Sequence, residues 1–327
     1  MTGNGRRPLL LAVLGAACIS ASAILVKLAD APATTTAFFR CFLALPVLVA
    51  LAAAEQRRHG PRRPGARGAA MLAGLFLAVD LVLWNHAIAE VGAGIATVLG
   101  NLQVLFVALT AWALLRERPE RRFLIALPVV MAGVVMVSGL AGDAAGGIHP
   151  LAGIGYGLGT SLAYTAFLLI MRRASAGVPH VAGPLAEATA GAAAGSLVLG
   201  SAFGGLQLHI GWPSFAWLLL LSLTSQTIGW LLITSSLPRL PAAISSLTLL
   251  LQPAAAMLLA AAVLGERPSL IQVAGAVVVC GGVLWVSLAT PARLDHPRVP
   301  ADPPVLDGIP ASDDRATVTP SSLASAS

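Results

Sequence analysis

The chain has 327 residues, 57% of them hydrophobic and only 10% charged, with a formal net charge of +6 and a mean hydropathy of +0.84. Soluble domains carry about 25% charged residues, so an ordinary water-soluble protein is excluded. The pI of about 10.2 does not mark a nucleic-acid binder, because the basic residues flank apolar runs and no aromatic-basic stacking platform accompanies them.

Taken in chain order, Arg6, Arg7, the apolar stretch from Leu9 and Ala21-Ser22-Ala23 mimic a secretory signal with its cleavage site. The apolar stretch runs on to Val26 and further spans follow at once, so a retained first helix is expected. A bilayer core is crossed by about 20 apolar residues rising about 1.5 Å each. That measure predicts ten spans: 8–26, 33–54, 68–89, 93–115, 121–140, 151–171, 181–203, 213–236, 242–264 and 269–289. The boundaries come from QRRHGPRRPGAR, from AGDAAGGIHP, and from the prolines at 119, 238, 241 and 268. Residues 290–327, rich in Pro, Asp, Ser and Ala, are expected to form a disordered cytoplasmic tail.

Lys and Arg in short loops set orientation. With the N-terminus inside, seventeen basic residues fall inside and two, Lys27 and Arg267, outside, with Arg40 within a span. The expected product is a multi-pass plasma-membrane protein with both termini cytoplasmic.

The phrase Glu-Arg-Pro follows an apolar, Gln-bearing run twice. A shift of 149 residues places Gln103 on Gln252, Glu117 on Glu266, Arg118 on Arg267, Pro119 on Pro268, Gly133-Val134 on Gly282-Val283, and Ser138 on Ser287. Identities at one offset across two helices and their loop indicate an internal repeat. Five spans per half is an odd number, so the halves enter the membrane in opposite senses. The expected fold is all-α: two inverted five-helix repeats, 8–140 and 151–289. Secondary transporters use this design, with the solute site between the halves.

FFRCFLALPVL, GLFLAVDLVLWNHAI, NLQVLFVALTAWALLRERP and SLTLLLQPAAAMLLAAAVLGERPSLIQVAGAVVVCGGVLWVS carry a resemblance to a known family. Over roughly residues 8–290 the chain resembles the ten-helix EamA-like proteins of the drug/metabolite transporter superfamily. The resemblance implies alternating access driven by an ion gradient or by the solute's own, often in export, and leaves the solute open. It places the family's Gln/Pro-plus-Glu motif on Gln252, Pro253 and Glu266, and on Gln103 and Glu117. Val104 stands where the second half has Pro253, so a Pro-dependent break is expected only there. Thr189 stands where the first half has Arg40, which argues against a strictly symmetric site.

Ionisable groups inside a bilayer face a bundle interior or a wet cavity, which singles out Arg40, Asp80, His86 and Glu187. Asp80 and Trp84 share a helix face; the pair would hold an amphipathic cation or take up a proton, or Asp80 would pair with a basic side chain of another helix. His86 lies about 240° around the helix from Asp80 and reads as a structural interhelical group or a titrating one. Arg40 would bind an anion, or pair with Asp80 or Glu187, the ion pair being the favoured reading. Asn101, Gln103, Gln226, Gln252, Tyr164 and Trp230 fall near mid-span and suit either solute contact or polar glue between helices. Gln103 and Gln252 rank first, being related by the repeat.

Within GIGYGLG, Gly155 and Gly159 are expected to let helices approach closely, since no strand precedes the run as a phosphate loop requires. Cys18, Cys41 and Cys280 lack metal or disulfide spacing and are expected to pack between helices. No cofactor or metal is expected; the expected partners are a small-molecule solute, the lipid bilayer and protons as a coupling ion, with no nucleic acid. HExxH, GxSxG and Walker motifs are missing, which weighs against an intramembrane enzyme. A non-transporting scaffold or sensor is the competing class, and the short loops leave it little but the tail. Glu117 and Glu266 are expected to cap or bridge, and Pro119 and Pro268 to open the following helix.

Overall fold

The computed structural model describes residues 6–138, 149–265 and 267–289, and among them every regular element is helical. In the first half α1 (Arg6–Ser20) and α2 (Ser22–Ala29) form one bent rod, and α3 (Ala33–Phe42) with α4 (Leu45–His59) a second. They are followed by α5 (Pro64–Asn101), α6 (Gln103–Leu115) and α7 (Arg121–Val137). The second half holds α8 (Pro150–Ala174), α9 (Ala182–Phe203) and α10 (Trp212–Leu221). A π-helical stretch, Ser222–Gly229, joins α10 to α11 (Trp230–Ser236); α12 (Ala242–Leu249), α13 (Leu251–Leu264) and α14 (Leu270–Ala289) complete the bundle. Glu266 and the tail 290–327 lie outside the described residues.

Among the described residues, seven helical stretches are long and apolar enough to cross a membrane: Arg7–Ala29, Thr34–His59, Pro64–Ala87, Ala96–Leu115, Leu151–Ala174, Trp212–Arg239 and Ala242–Val263. The other three predicted spans fall on α7, α9 and α14. The first is 17 residues long, α9 is diluted by Ala and Gly, and the apolar part of α14 covers Leu270–Val286. Large apolar side chains such as Leu151, Leu270 and Trp212 stand exposed on the perimeter, an arrangement suited to lipid rather than water.

The run α5 is not straight. A straight helix would carry Gly100 about 24 Å past Trp84, yet a β-carbon on Gly100 would lie 3.8 Å from Trp84 Cδ1. Leu83 and Leu99 likewise meet neighbouring glycines of α8, Gly159 and Gly157. The chain therefore doubles back inside α5, whose first arm carries the predicted span 68–89 and whose second arm opens the span 93–115 that α6 completes.

Polar contacts sort the connections into two sets. In one, the Glu55 carboxylate accepts the N–H groups of Val181, Ala182 and Gly183 at 3.0 Å each, capping α9. Arg62 and Arg67 pair with Glu187, and Arg172 Nη1 donates to Glu117 at 2.6 Å. Glu117 also accepts Ala242 N–H at 3.2 Å, so it bridges and caps at once. In the other set, His149 meets Glu90 at 3.0 Å, and Thr35 bonds the Gly205 carbonyl and Gln207 N–H. These are the same two sets that the arginine count separates.

The repeat is legible in the backbone. Arg116 ends α6 and Gly265 ends α13, both left-handed (φ 56° and 67°) and 149 residues apart. Each fourth helix also breaks just before its glutamine, where Leu102 N–H bonds Leu99 O and Leu250 N–H bonds Leu247 O, three residues back. A break also stands in the first half, where Val104 takes the place of Pro253: a single tightened turn with ψ near −10° occurs in both halves. Pro119 and Pro268 stand two residues ahead of α7 and α14 rather than within them.

Close helix contact rests on glycine. A β-carbon on Gly74 would come 1.9 Å from Ala188 O, and one on Gly191 2.2 Å from Met71 O, so α5 and α9 touch backbone to backbone. Gly155, expected in such a role, faces open space. Cys41 is buried but Cys280 faces outward, and all three thiols are free.

Gly74→Val is expected to lower the thermal midpoint of the purified protein by several °C or abolish a monodisperse peak, as overpacking costs about 1–3 kcal/mol. Gly155→Val should leave both unchanged. Equal tolerance of the two substitutions would refute the α5–α9 contact.

Candidate functional site

The site is built around a charge. Arg40 lies near the end of α3, one turn before a tightened bend in which Ala44 N–H bonds Cys41 O. Its Nε donates to Gln226 Oε1 at 2.9 Å. Gln226, buried in the π-helical stretch, donates in turn from Nε2 to Thr189 Oγ1 at 3.2 Å. Positions 40 and 189 are the pair that the repeat relates, so one amide bridges both halves. The widened π turn belongs to the element that presents this amide, and π turns recur at functional positions. It packs on α1 through a close Gly229–Gly15 approach.

Beside Arg40 opens a cavity of about 410 Å³. The first half contributes Arg40, Asp80, Trp84, Asn101 and Gln103, and the second contributes Tyr164, Trp230, Gln252 and Pro253. Asp80 is only 7% exposed, and among the described residues no hydrogen bond or ion pair reaches its carboxylate. Arg40 is the cation whose field acts on it. The favoured ion pair is therefore corrected at contact range. Arg40 takes a neutral amide, which leaves Asp80 unengaged, while Glu187 is held by Arg62 and Arg67 far along the chain from the cavity lining.

Tyr164, Phe167 and Trp230 form an aromatic cluster with ring centroids 4.9–6.3 Å apart. Trp230 Nε1, Gln103 Oε1 and Gln252 Nε2 are buried without partners. Buried polar atoms in native proteins are normally satisfied, so three such atoms on residues around one cavity are groups this conformation leaves unanswered. Asn101 spends an amide N–H on Thr97 O at 2.8 Å.

Of the residues singled out from sequence, Arg40, Asp80, Trp84, Asn101, Gln103, Tyr164, Trp230 and Gln252 line this cavity. Gln226 supports it from behind through Arg40. His86 is outside: it is exposed, 2.8 Å from Val82 O, with its ring beside Tyr156. Its 240° offset from Asp80 accounts for this. Sequence reasoning missed Ser20, Ser22, Thr97 and Thr160, which also line the cavity. Their hydroxyls give little signal because helical Ser and Thr bond their own backbone, as Ser20 does to Ala16 O at 2.7 Å. No group of His, Cys, Asp or Glu able to hold a metal occurs among the described residues.

The sequence profile of the EamA-like transporter family matches residues 6–139 and again 151–288. No curated protein matches the chain. A solved structure titled "Crystal structure of protein" superposes with a TM-score of 0.74 at 18% identity, covering 86% of this chain and 99% of that one. At that identity the likeness concerns the fold.

With the native cysteines replaced, Ser22→Cys and Asn101→Cys should react with a small water-soluble methanethiosulfonate, whereas Val107→Cys, in the packed core, should not. Equal labelling of all three, or of none, would contradict a wet cavity at this place.

Proposed function

This chain belongs to the EamA-like transporter family, and on that premise we propose that it is a secondary transporter exporting small organic metabolites or drugs across the plasma membrane by alternating access. One observation carries the reading: both halves place polar and aromatic side chains on a single cavity, and the Arg40–Gln226–Thr189 chain joins them there. Two inverted halves around one site can rock so that it opens to either side in turn.

The proposal takes residues 8–140 and 151–289 as the two repeats, with ten crossings and both termini cytoplasmic. The sorting of the connections into two contact sets supports it. Gln103 and Gln252 are the first candidates for solute hydrogen bonds, with Asn101, Tyr164, Trp84 and Trp230 around them. Arg40 and Asp80 favour a solute with a compact charged or dipolar head, and the aromatic cluster favours an apolar body. Asp80 is the proposed proton-coupling group, because its carboxylate lines the cavity without a partner. The chemistry is binding and release, with no covalent step and no cofactor.

Purified protein in liposomes is expected to move one or more solutes of a metabolite and drug panel, faster with an imposed pH gradient. Gln103→Ala and Gln252→Ala should each weaken apparent affinity about tenfold, the worth of one hydrogen bond to a solute. Asp80→Asn should abolish the response to the pH gradient while solute exchange persists. A panel in which nothing moves in either direction sinks the transport reading; unchanged pH-driven flux in Asp80→Asn sinks only the coupling role.

A further inference from the structure

A second cavity, of about 240 Å³, shares no lining residue with the first. It lies between the α8–α9 connection, Ser175 and Gly177–Val181, and the end of α11 with its following turn, Thr234, Ser235, Pro238 and Arg239. The volume equals that of about eight waters at ~30 Å³ each, ample for a phosphate.

Three side chains of its lining are more than nine-tenths buried and hold a polar atom without a partner: Ser175 Oγ, Thr234 Oγ1 and His180 Nδ1. The His180 proton can be placed by chemistry. Nε2 lies 3.0 Å from Gly60 O, and a carbonyl only accepts, so Nε2 carries a hydrogen and, when that is the ring's one proton, Nδ1 is an acceptor. Ser175 and Thr234 offer hydroxyl donors. Arg239 is exposed and makes no ion pair among the described residues.

Among the described residues no carboxylate lines the cavity. Glu55 is committed to the N–H groups of residues 181–183, and Glu117 to Arg172 and Ala242 N–H. Ser235 already donates to Leu232 O at 2.7 Å and can only accept further. The set is therefore cationic, with three side-chain donors, Ser175, Thr234 and Arg239, and two acceptors, Ser235 Oγ and His180 Nδ1.

We propose that this cavity binds a phosphate-bearing anion. Phosphate suits the mixed set because its charged oxygens accept from Ser175, Thr234 and Arg239, while a P–OH, populated near neutrality with a second pKa of about 6, donates to His180 Nδ1. A carboxylate has no such proton and leaves Nδ1 unanswered. An anionic lipid such as phosphatidylglycerol meets the same need with a headgroup hydroxyl. The bound phosphate ties the α8–α9 connection to the turn ahead of α12. The site is independent of the solute cavity and of transport.

The test is binding by the purified full-length chain in neutral detergent. Radiolabelled inorganic phosphate is titrated against an acetate control, and native mass spectrometry compares retained phosphatidylglycerol with phosphatidylcholine. Retention of inorganic phosphate identifies a soluble anion, and retention of phosphatidylglycerol alone identifies a lipid headgroup. In either case Thr234→Val and the surface change Arg239→Gln should each weaken binding about tenfold, the loss of one charge-assisted hydrogen bond. The proposal is overturned if neither probe binds above its control, or if well-folded Arg239→Gln and Thr234→Val bind as tightly as the unaltered chain. Flux is not part of the readout, so a silent transporter leaves this result intact.

Discussion

A guanidinium inside a bilayer must be kept from hydrocarbon and given hydrogen-bond partners, and the Arg40–Gln226 bond meets that demand. Much of the central cavity follows from it. Because Gln226 supplies a neutral acceptor rather than a carboxylate, Arg40 is anchored without being neutralised. Asp80 is then left free on the same cavity wall. Had Arg40 taken Asp80 instead, the pair would have cancelled as a structural ion pair and the cavity would present little charge. A hydrogen bond to a charged group is worth about 1.5–3 kcal/mol, and this one joins the two halves, with Thr189 holding the Gln226 amide from within the second.

The repeat supplies the frame and breaks its own symmetry where chemistry is needed. Matching left-handed ends at Arg116 and Gly265, and matching tightened turns at Leu102 and Leu250, bring Gln103 and Gln252 to one cavity. At Arg40 and Thr189 the halves differ, as they do at Asp80, whose counterpart at the 149 offset is Gly229. Glycine there meets α1 closely. One copy was therefore free to keep packing while the other carries charge.

The bundle was legible in the sequence because long apolar runs and sorted arginines follow directly from the bilayer. The glutamines and Glu117 were legible because the repeat marks them. What stayed hidden depended on partners distant in sequence. Nothing local in AGPLAEATAG says that Glu55 caps that helix, or that Gly191 meets Met71 backbone to backbone. The choice of Gln226 over an acid as partner for Arg40 turns on a π turn, which leaves no clear mark in SLTSQTIG. Hydroxyl residues such as Ser20 were invisible because a helix absorbs them into its own carbonyls.

The transport reading rests on two halves inserted in opposite senses. Arg118 and Arg267 are equivalent under the repeat and both exposed, so they report the inversion directly. In a cysteine-free background, Arg267→Cys on intact cells should react with a membrane-impermeant maleimide, and Arg118→Cys only after permeabilisation. Labelling of both positions from the same side would contradict the inverted architecture, and with it a cavity that opens alternately to the two faces.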